Sequence, residues 1–416
     1  MTKPISSTKK IPELCVPAGN LNIFKYAVNY GADAVYIGGN KFNLRSSGEN
    51  FTADEQVEAV KYAHERKIKV YLTLNAIINE HELEELTEYL KTIKTVGFDA
   101  IIISDPAIFK LIRQVMPDKR IHISTQVSTS NHSAVNFWGE LGASRVNIAR
   151  EIPYNELQVL VGKSNIEIET FIHGALCISY SGRCMLSKYL SCRDANKGEC
   201  SHACRWKYYL IEEQRPNMYF PIVQDKRGTL IYNSRDLCLL SKIDLIVESG
   251  VSALKIEGRM KTENYVGLTT SIYRQALDLV KEGNFTDQKK KYLLSELDKT
   301  NHRNFTQGFM FLENARNTPE LIENENVGYI RKYSFVGVVE GFSKNNDGPV
   351  IRAKNQFKSG DLLDISEPFK NPETIKLKRV IGYNTGEVIK VINTNDLVIF
   401  PGIGRLSEFS LLRVKK

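Results

Sequence analysis

The amino-acid sequence predicts an α/β chain: a (β/α)8 barrel of the TIM type with a cysteine-rich insertion after its seventh strand, followed by a small C-terminal β-barrel domain. Three observations carry this. Over the first 260 residues, eight short β-branched runs alternate with amphipathic helical segments. Seven of the runs begin 21 to 35 residues apart, while the eighth waits about 80 residues after the seventh. From Gly328 onward the pattern changes to short alternating strands broken by turns such as Asn346-Asp347-Gly348. An open doubly wound sheet is the competing arrangement, but its first strand normally leads into a glycine-rich nucleotide turn. Here that turn reads Pro17-Ala18-Gly19-Asn20.

The barrel strands are expected near residues 13–16, 34–37, 69–74, 100–104, 121–125, 145–149, 166–171 and 253–256. Between them, apolar residues recur three and four apart, as Phe24, Ala27 and Val28 do in the first helix. Another helix is expected over 263–282, and the charged run at 287–291 reads as a solvated connector. The barrel therefore takes 1–303, with its insertion at 173–252, and a linker takes 304–327. The terminal domain takes 328–416, with strands near 335–339, 350–353, 362–365, 374–380, 387–392, 397–400 and 411–414.

Composition is that of a globular protein, 42% apolar and 25% charged, without a run of about 18 apolar residues that could span a bilayer. The net charge of +8 is unevenly placed. Residues 331–416 hold 15 Lys+Arg and 9 Asp+Glu, a net of +6, which leaves +2 for the rest. A basic terminal domain points to a polyanion, nucleic acid foremost, the alternative being a solvated lysine-rich surface. No apolar leader opens the chain, so a cytoplasmic protein is expected rather than a secreted disulfide framework.

Five of the seven cysteines fall between Cys177 and Cys204, and four of them read Cys177-x6-Cys184-x15-Cys200-x3-Cys204. In a reducing compartment such a group holds an iron–sulfur centre or zinc, or stays a set of metal-free thiols. The spacings match neither a zinc ribbon nor a simple ferredoxin run. Cys192 competes for a place in the set, whereas Cys15, inside the first strand, and Cys238, at the start of an apolar helix, are expected to be packed.

In such a barrel the residues just past the strand ends line the active site. Those positions give Tyr36, Asn75, Asp105, Gln126, Arg150, His173, Glu257 and Arg259, with Arg45 in the loop after the second strand. Converging arginines suit a ligand with two carboxylates or a phosphate, because guanidinium binds such groups bidentately. Glu257 either exchanges protons or orients an arginine, and His173 is a base, a supporting residue or a core histidine. Gln126 could read an amide or a base edge. There is no His-Glu-x-x-His pair and no Gly-x-Ser-x-Gly elbow. Gly162-Lys163-Ser164 lacks the first glycine of a phosphate loop, since that position is Leu157.

The stretch His173-Gly174-Ala175-Leu176-Cys177-Ile178-Ser179-Tyr180-Ser181-Gly182-Arg183-Cys184, followed by Cys200-Ser201-His202-Ala203-Cys204-Arg205-Trp206, resembles the collagenase-like peptidase family of U type, meaning unknown mechanism. Asn233-Ser234-Arg235-Asp236-Leu237 and Lys255-Ile256-Glu257-Gly258-Arg259 extend the resemblance, which runs over essentially the whole chain. The resemblance implies a part in forming 5-hydroxyuridine at the tRNA wobble position, with prephenate required and dioxygen not the oxygen source. It also implies a [4Fe-4S] cluster on Cys177, Cys184, Cys200 and Cys204, with no counterpart for Cys192. His173, Glu257 and Gln126 are then the catalytic candidates, and Tyr36, Arg45, Asn75, Asp105, Arg150 and Arg259 the substrate contacts. A wobble uridine in the anticodon loop is unpaired and could stack on Tyr36 or Trp206. Two other readings stand beside this one: a peptidase acting on collagen, and a non-catalytic RNA-binding or cluster-carrying scaffold.

Overall fold

Four of the helices between the barrel strands start at a capping side chain in the loop that follows the strand. Asn20 accepts from the Ile23 N–H at 2.9 Å, and Asp105 from Ala107 N–H at 2.8 Å. Thr52 and Glu55 form a reciprocal capping box, and Asn131 accepts from Ala134 N–H at 2.9 Å. The computed structural model describes residues 10–44, 49–177, 184–205, 223–225, 228–230, 235–311 and 329–416.

The first seven units are β1 (Glu13–Pro17), α1 (Leu21–Asn29), β2 (Ala34–Gly38), α2 (Ala53–His64), β3 (Lys69–Leu74), α3 (Leu83–Ile93), β4 (Ala100–Ile103), α4 (Pro106–Val115), β5 (Arg120–Ile123), α5 (His132–Glu140), β6 (Arg145–Asn147), α6 (Tyr154–Lys163) and β7 (Glu167–Ala175). The excursion that follows holds α7 (Leu186–Ser191) and a hairpin of β8 (Val223–Asp225) and β9 (Gly228–Leu230). The chain returns through β10 (Asp236–Cys238) and α8 (Ile243–Glu248) to β11 (Ala253–Ile256). Strands β1 to β7 pair in parallel order, and β11 pairs with both β1 and β7, which closes a ring of eight. Outward-facing Val35, Ile37, Leu72, Ile101, Ile123 and Leu254 form one apolar layer with the helices.

The inward face is built differently. Barrels of this type usually fill their axis with branched apolar side chains. Here Glu13, Arg145, Glu169 and Lys255 meet inside the ring. Arg145 contacts Glu13 at 2.7 Å and Glu169 at 3.6 Å, and Lys255 contacts Glu169 at 2.9 Å. Tyr71 donates to Glu13 at 2.7 Å. His122 packs its ring edge-on against Tyr71, with Cys15 and Tyr36 close by in the same interior.

Three segments depart from the sequence-based expectation. The charged run expected to be a connector is the first half of α10 (Asp287–Leu297), capped by Thr286 and packed on α9 (Glu263–Lys281) through Leu293 and Leu297. So few apolar residues anchor it that the helical period is masked by lysines. Cys238 lies in β10, antiparallel to β7, and not at a helix start. The expected linker begins as part of the barrel: β12 (Phe305–Thr306) pairs with β10, and the Tyr154 N–H donates to the Met310 carbonyl at 2.9 Å. The remainder of that linker, 312–327, lies outside the described residues.

The terminal domain contains β13 (Tyr333–Ser343), β14 (Gly348–Ala353), β15 (Phe357–Lys358), β16 (Leu362–Ser366), β17 (Glu373–Lys376), β18 (Ile381–Gly382), β19 (Val391–Ile392), β20 (Leu397–Ile399) and β21 (Leu411–Lys415). Seven of them form an antiparallel sheet in the order β17-β16-β21-β13-β14-β20-β18, and β15 with β19 forms a ribbon over the same core. The domain docks on α1 and α9. Tyr26 and Tyr30 pack with Val338 and Leu411, and the Tyr30 hydroxyl donates to the Ser366 carbonyl at 2.8 Å. Gly267 of α9 faces Leu411 and Tyr30, where a Cβ would crowd both. At the seam, fully buried Arg413 donates to Asp364 through Nε at 3.0 Å and to Asn264 at 3.2 Å.

Removing Arg413 leaves Asp364 buried with fewer counter-charges. Arg413→Met is expected to lower unfolding free energy by about 3–5 kcal/mol in urea titrations. A loss under about 1 kcal/mol would show that the seam is already solvated.

Candidate active site

The ion-pair layer forms the floor of the site. Burial alone would raise the Glu13 carboxyl, but the Arg145 guanidinium, with hydrogen bonds from Arg145, Lys69 and Tyr71, brings it down to about 2. Burial works against the charges on Lys255 and Arg145, yet Glu169 holds both above their ordinary values. His122 is driven well below its ordinary value by burial, then by Arg145 and Lys255, so it is neutral. Among the described residues neither His122 ring nitrogen nor Asn147 Oδ1 has a hydrogen-bond partner.

Above this floor, the strand ends place the expected residues unequally. Glu257, half-buried just past β11, accepts from the Tyr36 hydroxyl at 3.2 Å, and Tyr36 also donates to the Ile256 carbonyl at 2.9 Å. Burial, then the Glu257 charge, keeps the Tyr36 phenol protonated. Gly174, at φ +108°, lets β7 pass so close to the Glu257 carbonyl that a Cβ would not fit. Gln126 opens the turn after β5 with a half-exposed side chain. Arg150 lies flat on Phe171 at 3.9 Å and donates through Nη1 to the Ala175 carbonyl at 2.8 Å. Its Nε and the Thr129 hydroxyl have no partner among the described residues.

Other candidates are committed to holding loops. Arg259 is buried, donating to Thr73 Oγ1 at 3.0 Å and Asn43 Oδ1 at 2.6 Å. It therefore ties the end of β11 to β2 and β3 and does not converge with Arg150 beside β7. Asp105 uses one oxygen to cap α4 and the other to accept from Ile78 N–H at 3.0 Å. Asn75 Oδ1 accepts from Leu44 N–H at 3.3 Å. Tyr36 cannot offer its ring to a base, because that ring is buried in the barrel under the Lys255 ammonium at 4.4 Å. Arg45 and Trp206 lie outside the described residues.

His173 is displaced most from its expected role. A register slip beside Lys255 and Ile256 shifts the alternation by one, so His173 falls in the outward phase of Ile256. Its ring packs among Tyr265, Tyr273 and Phe305, with Nδ1 at 3.4 Å from the Tyr273 hydroxyl. Burial drives it down to about 3. A base working near neutrality would titrate higher.

The cysteine segment leaves the rim at the end of β7 and reaches the loop after β3. There the Asn196 carbonyl accepts from Ile77 N–H at 3.2 Å, and Lys197 pairs with Glu82 at 2.7 Å. In the order β1 to β7 then β11, β3 and β7 stand opposite each other, so the segment is tied to two opposite points of the rim. Ser201 joins its two halves, within 2.9 Å of both Ser187 Oγ and Ser191 Oγ. All seven cysteines are described and none is in a disulfide. Cys177 and Cys192 are exposed, while Cys184, Cys200 and Cys204 are half-buried. This donor chemistry fits an iron–sulfur centre. Among the described residues the thiols are not drawn together into a ligand set, and 178–183 lie outside them.

Fold and mouth thus define a (β/α)8-barrel protein with a thiol-bearing strap over its C-terminal rim and an appended antiparallel β-domain. The chain belongs to peptidase family U32: the family's model matches residues 19–319, and the model of its C-terminal domain matches 331–413. It is 40% identical to tRNA hydroxylation protein P1 of Bacillus subtilis (strain 168), over 87% of this chain and 84% of that one. It is 34% identical to tRNA hydroxylation protein P of Escherichia coli (strain K12), over 86% of this chain and 87% of that one. It is 35% identical to an uncharacterized protease of Methanocaldococcus jannaschii, over 92% of this chain and 90% of that one.

Sequence reasoning missed Glu13, His122, Arg145 and Glu169. Their signal was a charged or polar residue at inward parity within an otherwise apolar strand, such as Glu13 before Leu14 and Arg145 before Val146.

Two pH measurements check this geometry. Histidine NMR should show no His173 titration between about pH 5 and 8, the range in which an ordinary histidine changes charge. Glu13 ionises more readily folded than unfolded, so its contribution is complete above the ordinary carboxylate value and lost as pH falls toward 2. Glu13→Gln should therefore flatten the acid limb of the stability–pH curve by about 3 kcal/mol, and an unchanged limb would contradict the pairing.

Proposed function

We propose that this chain hydroxylates RNA, forming 5-hydroxyuridine at the wobble uridine of the tRNA anticodon loop. In this reading prephenate is a co-substrate or ligand, and Cys177, Cys184, Cys200 and Cys204 hold a [4Fe-4S] cluster. The observation that carries it is the identity to relatives named for tRNA hydroxylation, which extends through barrel, strap and terminal domain alike. The segment that carries the thiols supports it, since it starts at the rim end of β7 and is tied back to the loop after β3.

Replacing the C5 hydrogen of uridine by hydroxyl is a two-electron oxidation, so the reaction needs a hydroxyl donor and an electron acceptor. When bound, an iron–sulfur cluster supplies one-electron transfer at the mouth. The Glu257 carboxylate, held by the Tyr36 hydroxyl, takes the proton released from the base. Arg150 Nε, buried and still a donor, meets a carboxylate of the dianion. The half-exposed Gln126 amide meets a base edge. A splayed uridine suits this mouth because an unpaired base leaves its loop at modest cost.

A second reading, hydrolysis of a protein such as collagen, has the family's name and the name of the archaeal relative in its favour. One set of measurements separates the two. Deleting the gene should remove 5-hydroxyuridine-derived nucleosides from wobble positions by mass spectrometry. Anaerobically purified protein should absorb near ~400 nm through thiolate-bound iron and lose that band in Cys200→Ala but keep it in Cys192→Ala. Unchanged wobble nucleosides in a strain without a second copy, together with chelator-sensitive cleavage of collagen, would overturn the reading.

A further inference from the structure

Five of the terminal domain's cations lie together at one edge. Residues 331–416 contain 15 Lys+Arg. Several are neutralised locally: Lys332 by Asp298, Arg352 by Glu340, Lys354 by Glu263, Lys370 by Glu367 and Arg413 by Asp364. Lys358, Lys376, Lys378, Arg379 and Lys390 are all exposed, and none forms an ion pair among the described residues.

These five come from three chain segments that meet at Ser359. The Ser359 N–H donates to the Lys390 carbonyl at 3.0 Å, and its hydroxyl donates to the Lys378 carbonyl at 3.1 Å. Lys358 pairs with Val391 in the β15–β19 ribbon, and Lys376 closes β17. Buried Leu377 separates Lys376 from Lys378, so both lysines project to solvent from the same face. Asp361, the carboxylate nearest in sequence to Lys358, is turned to its backbone, accepting from the Lys358 N–H at 2.7 Å. Val388 and Val391 lie bare beside the cations.

We infer that this edge is an RNA-docking surface that grips the sugar–phosphate backbone while the barrel mouth holds the base. The inference rests on the RNA reading above and adds to it where the polyanion is held. Extended backbone repeats about 6.8 Å along one face, the spacing that separates Lys376 from Lys378, and Lys358 and Lys390 flank them on the adjoining segments. Such a row matches successive phosphates on an extended surface better than one small anion, which would need a pocket closing around it. The bare valines suit the apolar faces of sugars and bases. An acidic protein or an anionic membrane would use the same charge, and both are outcomes of the test.

The test measures binding of unmodified tRNA to the full chain across a salt series, by fluorescence anisotropy. The triple variant Lys378→Glu, Arg379→Glu, Lys390→Glu should weaken binding by at least about 10-fold, with log Kd against log salt shallower by about 2, as expected for three lost phosphate contacts on a single strand. The neutral triple Lys378→Gln, Arg379→Gln, Lys390→Gln should fall between it and the parent. A charge-matched control, Lys94→Glu, Lys110→Glu, Lys281→Glu, on the outer helices of the barrel, should bind as the parent does. Equal affinity and slope in the patch variant and the parent would overturn the inference while leaving RNA hydroxylation standing. Loss of binding to vesicles of anionic lipid or to an acidic protein, with tRNA binding unchanged, would overturn it in favour of that partner. A parent chain that binds no tRNA would remove the RNA reading itself.

Discussion

Four charges buried inside a ring of parallel strands constrain the rest of this molecule. Glu13, Arg145, Glu169 and Lys255 come from β1, β6, β7 and β11, and β11 is the strand that closes the barrel between β7 and β1. Buried charge is tolerated only when it is paired. Sliding any of these strands by one residue would turn its charged side chain into the apolar layer beneath the helices. The network is a poor source of net stability and a strong source of register. Everything at the rim inherits that register, including the hydrogen bond from Tyr36 to Glu257 and the reach of Arg259 to Asn43 and Thr73.

Residues at the rim divide between those that hold the rim and those that face out of it. Arg259, Asp105 and Asn75 hold it: each spends its polar atoms on a neighbouring loop. Glu257 and Gln126 are half-buried, and Arg150 keeps its Nε without a partner among the described residues. This division follows chain geometry. Arg259 follows Gly258 and folds back over the ring, whereas Arg150 is pinned along β7 by its stacking on Phe171. A cluster of like residues in sequence is therefore not a cluster in space, and the arginines expected together stand in separate sectors.

The barrel was legible because its signal repeats: each strand and helix states the same period again, and the long gap before Ala253 marks the insertion. The strand-end rule put Glu257, Gln126 and Arg150 past the ends of their strands for the same reason. It misjudged His173, because a one-residue slip in pairing is invisible to a pattern of alternation. It misjudged α10 because that helix is anchored only near its C-terminal end, by Leu293, Leu294 and Leu297, after a run of lysines. The buried ion pairs escaped notice because a charged residue at a strand start looks like a boundary until the opposite strand is known. Composition located the basic domain, but which cations are left unpaired depends on where the carboxylates fall in three dimensions.

The strap of cysteines has a consequence for traffic. Continuous in chain with β7 and fastened at Ile77 and Glu82, it joins opposite sides of the rim. Glu257 and Tyr36 belong to the sector on one side of that line, Gln126 and Arg150 to the sector on the other. Groups in the two sectors are therefore approached from different sides of the strap.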